Sequence, residues 1–442
     1  MIRIIPSDDV FTRDEFLLRL LARGVGFNAE LMSKVSAIVE QVRTRGDAAL
    51  IEFTETFDNV RLNGPELRVS ADSLREAARG VKPEFLQALR KAIVNVRQFH
   101  VRQKEQSWNF TTEDGIKLGQ RILPIDSVGL YVPGGTAAYP SSVVMNVVPA
   151  QVAGVRRIVV ATPPNSLRQN PTVAAALLEL GIGEVYAVGG AQAIAALAFG
   201  TETIAKVDKI TGPGNKFVAA AKKLVFGIVG IDAIAGPSEI AIIADDSARP
   251  DFVAADLLAQ AEHDEEASAI LITSSLALAD AVAQEVEQQL SSLPRRAIAE
   301  ESLANYGAIF LVENLADACQ IVNALAPEHL ELLTNDNDGL AERINHAGAI
   351  FFGPYSPEAL GDYLAGPNHV LPTGRTARFS SALGVYDFVK RTSVIRYSRA
   401  AFQRVAGSIS VLAEAEGLSG HARSALIRRG SSPTVKEGSE LM

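Results

Sequence analysis

Seven short runs rich in β-branched and small apolar residues recur at 128–132, 157–161, 184–188, 240–244, 269–273, 308–312 and 349–352. Gly, Pro or small polar residues follow them, and then stretches whose apolar residues return every three or four positions. Strands that alternate with helices form parallel pairs, because a parallel connection needs a crossover long enough to hold a helix. Runs apolar along their whole length must also be covered on both faces. The rhythm therefore predicts an α/β fold, built from two parallel sheets or from one sheet interrupted by another.

Around this rhythm the chain changes texture. From about Asn28 to Asp58, and from Ser73 to about Gln106, apolar residues at helical spacing alternate with charges, which predicts amphipathic helices. The stretch 173–199 is the longest apolar one, yet it carries Glu179 and Glu184 and is broken by Gly181, Gly183, Gly189 and Gly190. It reads as helix, strand, turn and helix, not as a membrane span of about 20 residues. After about Leu383 the alternation is lost, and residues 430–442 are polar, the composition of a disordered end.

A chain of 442 residues, 48% hydrophobic, can bury enough surface for more than one domain. Its 51 acids against 42 bases give a net charge of -9, with no basic block, which disfavours nucleic acid as a partner. A single cysteine, Cys319, excludes an internal disulfide and a thiolate-built zinc site and fits a reducing cytoplasm. Cys319 is expected to pack on a helix face, and Trp108 to anchor packing. The N-terminus lacks the apolar stretch of a secretory signal.

Only six histidines are present, so their placement bears directly on chemistry. Glu328 and His329 are adjacent, a carboxylate beside an imidazole able to trade protons near neutral pH. Gln260 and His263 stand three apart on a helical pattern and share a face, as metal ligands or as an ordinary polar surface. Asp362 and His369 fall in a Gly/Pro-punctuated loop, as a binding group or a turn cap. His421 follows a glycine-containing turn; His100 and His346 are read as structural. Three glycine-rich turns, beginning at Pro133, Gly189 and Gly212, either close ordinary βα connections or bring backbone N–H groups to a phosphate. None matches the dinucleotide fingerprint. From the residues alone, an NAD-linked dehydrogenase, a zinc hydrolase and a non-catalytic metal or nucleotide binder all stay open.

Taken together, the motifs Pro133-Gly134-Gly135, Gly189-Gly190-Ala191-Gln192, Thr211-Gly212-Pro213-Gly214-Asn215, Gly236-Pro237-Ser238-Glu239, Gln260-Ala261-Glu262-His263, Pro327-Glu328-His329-Leu330, Gly361-Asp362-Tyr363, Asn368-His369-Val370-Leu371-Pro372 and Glu416-Gly417-Leu418 with His421 resemble the histidinol dehydrogenase family. The resemblance runs over nearly the whole chain, up to about Arg429. It implies oxidation of L-histidinol to L-histidine through a bound aldehyde, with two NAD+ and one zinc per site. Gln260, His263, Asp362 and His421 then correspond to metal ligands, and Glu328 and His329 to the acid-base pair. Substrate contacts fall on Ser238, Gln260, His263, His329, Asp362, His369, Glu416 and His421, and NAD contacts on Tyr131, Gln192 and Asn215. Related zinc- and NAD-dependent dehydrogenases of other primary alcohols, such as sulfonated diols, share the zinc and the Glu-His pair.

The same resemblance implies two Rossmann-like parallel-sheet domains, one inserted in the other, with helical N-terminal and C-terminal dimerisation segments. Residues 1–127 with 237–383 are expected to form the domain carrying the metal and acid-base residues, 128–236 the domain of nucleotide-binding turns, and 384–442 the dimerisation tail. The implied assembly is a homodimer whose tail completes the partner's site, with no membrane or nucleic-acid partner.

Overall fold

A computed structural model describes residues 2–23, 26–134 and 139–429. The polar end at 430–442 and Gly135-Thr136 of the first glycine turn lie outside the described residues. The chain divides into two compact units, Met1–Lys104 with Pro124–Phe388, and Glu105–Leu123 with Val389–Met442.

The expected α/β architecture with two parallel sheets is present in the first unit. One sheet has six strands in the order Arg3–Ile5, Gly307–Leu311, Ser268–Thr273, Glu239–Ala244, His329–Leu333, Ala349–Phe352, every pair parallel. The other has five, Val185–Ala187, Arg157–Thr162, Ser127–Tyr131, Lys209–Thr211 and Gly230–Ile231, again all parallel. In both, strand order reverses: between Glu239–Ala244 and His329–Leu333 in one, and between Ser127–Tyr131 and Lys209–Thr211 in the other. Such a reversal opens a crevice between the two crossovers that leave in opposite directions.

Along His329–Leu333 side chains alternate between faces, as a period of two requires. Leu330 and Leu332 join the apolar cluster on one face, and Leu333 joins the cluster on the other with Leu257, Leu258 and Ala261 of helix Pro250–Ala261. His329 and Glu331 share the parity of Leu333. Two ionisable groups thus interrupt an otherwise apolar face.

The amphipathic N-terminal stretches form helices Ala29–Arg45, Asp47–Asp58, Ala71–Ala77 and Pro83–Val101. Gly46, at φ 55°, breaks the first stretch in two, and a Cβ there would stand 2.2 Å from the Glu202 carboxylate. Their buried faces cover the five-stranded sheet: Val35, Val39, Val42 and Leu50 pack with Val159, Ala161 and Ile210, and Leu74, Leu89 and Val96 with Val128 and Leu130. The expected grouping of residues 1–127 with 237–383 places these helices with the other sheet, whereas their buried faces pack on this one.

The second unit contains a sheet of Val389–Arg396, Lys117–Pro124 and Trp108–Thr111, and helices Arg399–Ala415 and Ser419–Arg429. The described part of the tail is therefore regular, although its sequence loses the strand-helix rhythm. Trp108 differs from its expected role. It sits on an antiparallel strand opposite Gln120, 51% exposed, stacked near Phe110. Cys319 is buried in helix Leu315–Leu325 as expected. No helix among the described residues is long and apolar enough to cross a membrane.

Candidate active site

Glu328 and His329 lie where the strand His329–Leu333 begins. The register places His329 opposite Ile240, so the start of this strand faces Ser238 and Glu239 across the ladder. Two hydrogen bonds follow. The Glu239 backbone N–H donates to Glu328 Oε2 at 3.0 Å, and the His329 Nδ1 lies 3.1 Å from the Glu239 carbonyl oxygen. A carbonyl can only accept, so Nδ1 carries the ring proton and Nε2 is left as the basic nitrogen.

Both side chains are buried, at 6% and 4% exposure. Burial pushes the His329 imidazole down to about 4, which keeps the ring neutral near pH 7 and able to accept a proton. Burial, and then the Glu239 charge, lift the Glu328 carboxyl well above its ordinary value. A carboxylate that holds its proton more tightly is the stronger base.

Glu239 itself is held from behind. Its carboxylate accepts from Arg23 at 2.9 Å, and Arg23 also donates to Ser268 at 3.0 Å and to the Glu266 carbonyl. The Arg23 side chain is only 4% exposed. Ala326, immediately before Pro327-Glu328-His329, adopts φ 48°, a left-handed conformation rare outside glycine.

The candidate metal residues come from the ends of two helices on this same side. Gln260 lies in the last turn of the helix Pro250–Ala261 and is fully buried, and His263 stands in the turn just beyond the helix end, exposed. Asp362 lies on helix Glu358–Tyr363, whose first residue, Glu358, is buried. One ligand atom each from His263, Glu358 and Asp362 lies within 4.8 Å of the others. Imidazole nitrogen and carboxylate oxygens converging in this way fit a divalent ion such as Zn2+ or Mn2+. His369 Nδ1 stands 3.7 Å from Asp362 Oδ1, and burial lowers its pKa. Its neighbour Asn368 anchors the loop by donating to the Met145 carbonyl at 2.6 Å, and Asn368 Nδ2 is 3.4 Å from Nε2 of the buried His100. His100 thus has the structural role expected of it.

Three carboxyls absent from the sequence reading belong to this site. Glu358 Oε1 is 3.6 Å from His329 Nδ1, and its backbone N–H donates to Glu331 Oε1 at 2.7 Å. Burial first, and then the charges of Asp362, Glu328 and Glu331, raise the Glu358 carboxyl well above its usual value. Glu331 is raised likewise by burial and by Asp256, whose own carboxyl is pushed up to about 6 by burial. Two signals were present in the sequence: Glu358 stands one helical turn before Asp362, and Glu331 interrupts an apolar strand on the parity of His329.

The second and third glycine turns follow the carboxyl ends of Val185–Ala187 and Lys209–Thr211 in the five-stranded sheet and lead into helices Gly190–Phe199 and Lys216–Val225, the latter strand lying beside the strand-order reversal. Exposed N–H groups at such ends suit an anionic cofactor. Tyr131 is 4% exposed and its hydroxyl accepts the Gly190 N–H at 3.0 Å. Gln192 is buried against that turn, and Asn215 caps its helix by accepting from Phe217 and Val218 N–H groups. A Cβ on Gly212 would stand 2.1 Å from the Tyr131 carbonyl oxygen, so no other residue fits there. Behind this turn, buried Lys222 donates to the Gly212 carbonyl and pairs with Asp232, which accepts the Gly212 N–H. Glu416 and His421 belong to the second unit, where both are exposed, Glu416 at the end of helix Arg399–Ala415 and His421 in the first turn of the next.

The histidinol dehydrogenase family profile matches residues 22–429. The histidinol dehydrogenase of Geobacillus kaustophilus is 58% identical over 392 residues, 88% of this chain and 92% of that protein. That of Bacillus subtilis is 53% identical over 406 residues, 91% and 95% of the two chains. The crystal structure of histidinol dehydrogenase from Elizabethkingia anophelis superposes with a TM-score of 0.90 at 36% identity, covering 97% of this chain and 98% of that one. On family profile, identity and fold alike, the chain belongs to the histidinol dehydrogenase family.

Proposed function

We propose that the chain oxidises L-histidinol to L-histidine through the aldehyde, with NAD+ as the acceptor in both oxidations and a divalent metal, Zn2+, at the site. The observation that carries this reading is a buried, neutral imidazole whose basic nitrogen is fixed by the Glu239 carbonyl, beside a carboxyl of raised basicity and next to a cluster of metal-type donors.

Gln260, His263 and Asp362, with His421, would hold the metal, which when bound would supply a Lewis acid able to take the substrate's nitrogen donors and so help to orient the alcohol. Tyr131, Gln192 and Asn215 shape the turns that would receive NAD+, the two-electron acceptor for each oxidation. His329 Nε2 takes the proton of the substrate hydroxyl as the alcohol is oxidised. Glu328 then removes a proton from the water that hydrates the aldehyde, which prepares the second oxidation. Ser238, His369 and Glu416 contact the substrate.

The chain is further inferred to work as a homodimer in the cytoplasm, with Glu416 and His421 completing the partner's site. The second unit leaves Val411, Leu412, Leu418, Leu426 and Ile427 exposed at 43–71%, an apolar surface that association would cover. NADH formation on adding L-histidinol to purified protein tests the activity. Two NADH per histidinol supports it, whereas metal binding without turnover would leave only a binding protein. A preference for another primary alcohol would favour the related dehydrogenases.

A further inference from the structure

We propose that Glu358 is a positioning residue for the metal site: its carboxylate holds the side-chain NH2 of Gln260 and so turns that amide's carbonyl oxygen toward the metal. The proposal rests on the metal-dependent reading above and adds to it a residue that orients a ligand.

The geometry carries it. With the Gln260 amide placed so that its nitrogen faces Glu358, both Glu358 oxygens accept from that nitrogen at 3.1 Å. The reverse placement sets a carbonyl oxygen against two carboxylate oxygens, three acceptors and no donor. Gln260 is fully buried, so bulk water cannot correct the wrong orientation, and a buried amide takes the one that pairs its donors. Its carbonyl oxygen then points away from Glu358. An amide flipped the other way would present NH2 to a cation, and that nitrogen has no lone pair available for the metal.

Glu358 is fixed for the task. It begins helix Glu358–Tyr363, it is 3% exposed, and its backbone N–H donates to Glu331 Oε1 at 2.7 Å. Asp362 stands one helical turn further along, so orienting group and candidate ligand share one rigid turn. Outer groups that fix the orientation of a ligand are worth roughly 10- to 100-fold in metal affinity.

The test uses the full chain stripped of metal, with Zn2+ affinity measured by competition against a chromophoric chelator. E358A and Q260A should each weaken Zn2+ binding about 10- to 100-fold. If Glu358 acts through Gln260, the double variant Q260A/E358A should bind no more than about twofold more weakly than Q260A alone, because a shared pathway makes the losses non-additive. E358Q, of the same shape but with one acceptor, should fall between wild type and E358A, and it carries the comparison if E358A does not fold. Zn2+ affinity within about threefold of wild type in a folded E358A protein would overturn the proposal. So would losses that multiply in the double variant, since Glu358 would then act on the ion without Gln260. Wild-type turnover of L-histidinol is measured in parallel. Intact coupling without turnover supports the positioning role and defeats the enzyme reading; turnover without coupling does the reverse.

Discussion

The His329 Nδ1 atom lies 3.1 Å from the backbone carbonyl oxygen of Glu239, a residue ninety positions earlier on the adjacent strand. That one contact sets the tautomer of the ring. With burial holding the imidazole's pKa near 4, His329 is a neutral base at pH 7, aimed by the sheet and not by a flexible loop.

Division of labour between the adjacent pair is the first prediction. Glu328→Gln should lower turnover by about 100- to 10,000-fold, the usual worth of a general acid or base. If Glu328 serves only hydration, single-turnover NADH formation from added histidinal should suffer far more than the first oxidation of histidinol. Equal losses in both half-reactions would defeat the assignment.

Removing metal should be as damaging as removing a catalytic group. Chelation is expected to abolish NADH formation, with recovery on adding Zn2+ or Mn2+. His263→Ala should lose metal while keeping its fold, because Ala offers no lone pair yet suits the end of a helix. Full activity in a preparation shown by elemental analysis to be metal-free would end the metal-dependent reading.

The Asp256 and Glu331 carboxyls make stability depend on pH. Both have folded pKa values raised above their ordinary ones, Asp256 to about 6. The folded state therefore holds protons that the unfolded chain has released, and stability falls as pH rises above about 4, through about 6 for Asp256. Glu331→Gln keeps an oxygen for the Glu358 N–H and removes the coupled charge. At pH 8 it should be more stable than wild type, because the folded wild-type chain must there keep a buried carboxyl whose proton the unfolded chain has given up. The advantage should vanish below pH 4. Thermal melts at both pH values check this, and a variant less stable at pH 8 would contradict it.

Arg23 supports the site from behind its strands. Arg23→Ala leaves the Glu239 carboxylate buried without its cation, a change expected to cost about 3–5 kcal/mol. Denaturant unfolding at pH 7 measures the loss. A cost below about 1 kcal/mol would mean that water replaces the guanidinium.

Subunit sharing has a genetic-style test in solution. Inactive His263→Ala and inactive His421→Ala subunits, mixed through unfolding and reassociation, should form heterodimers with about half the activity of a normal dimer, since two-fold symmetry leaves one of two sites intact. Absence of recovery in proven heterodimers would place His421 in its own subunit's site.

The linear order of residues was enough for the α/β rhythm, because period-two and period-3.6 patterns are local and survive without any contact being known. It also singles out Glu328, His329, Gln260, His263, Asp362 and His369 as candidates, because they stand in recognisable short motifs. Tertiary structure alone decided which of these meet. Parallel pairing of His329–Leu333 with Glu239–Ala244 brings Glu328 and His329 to the Glu239 backbone, and that backbone holds the imidazole Nδ1. Packing likewise assigned the N-terminal helices to the five-stranded sheet, and it buried Glu358 against Gln260 and Glu331. A pattern along one chain states that a face is covered or a carboxylate present. The partner across the fold is chosen by long-range register and burial, which no local spacing encodes.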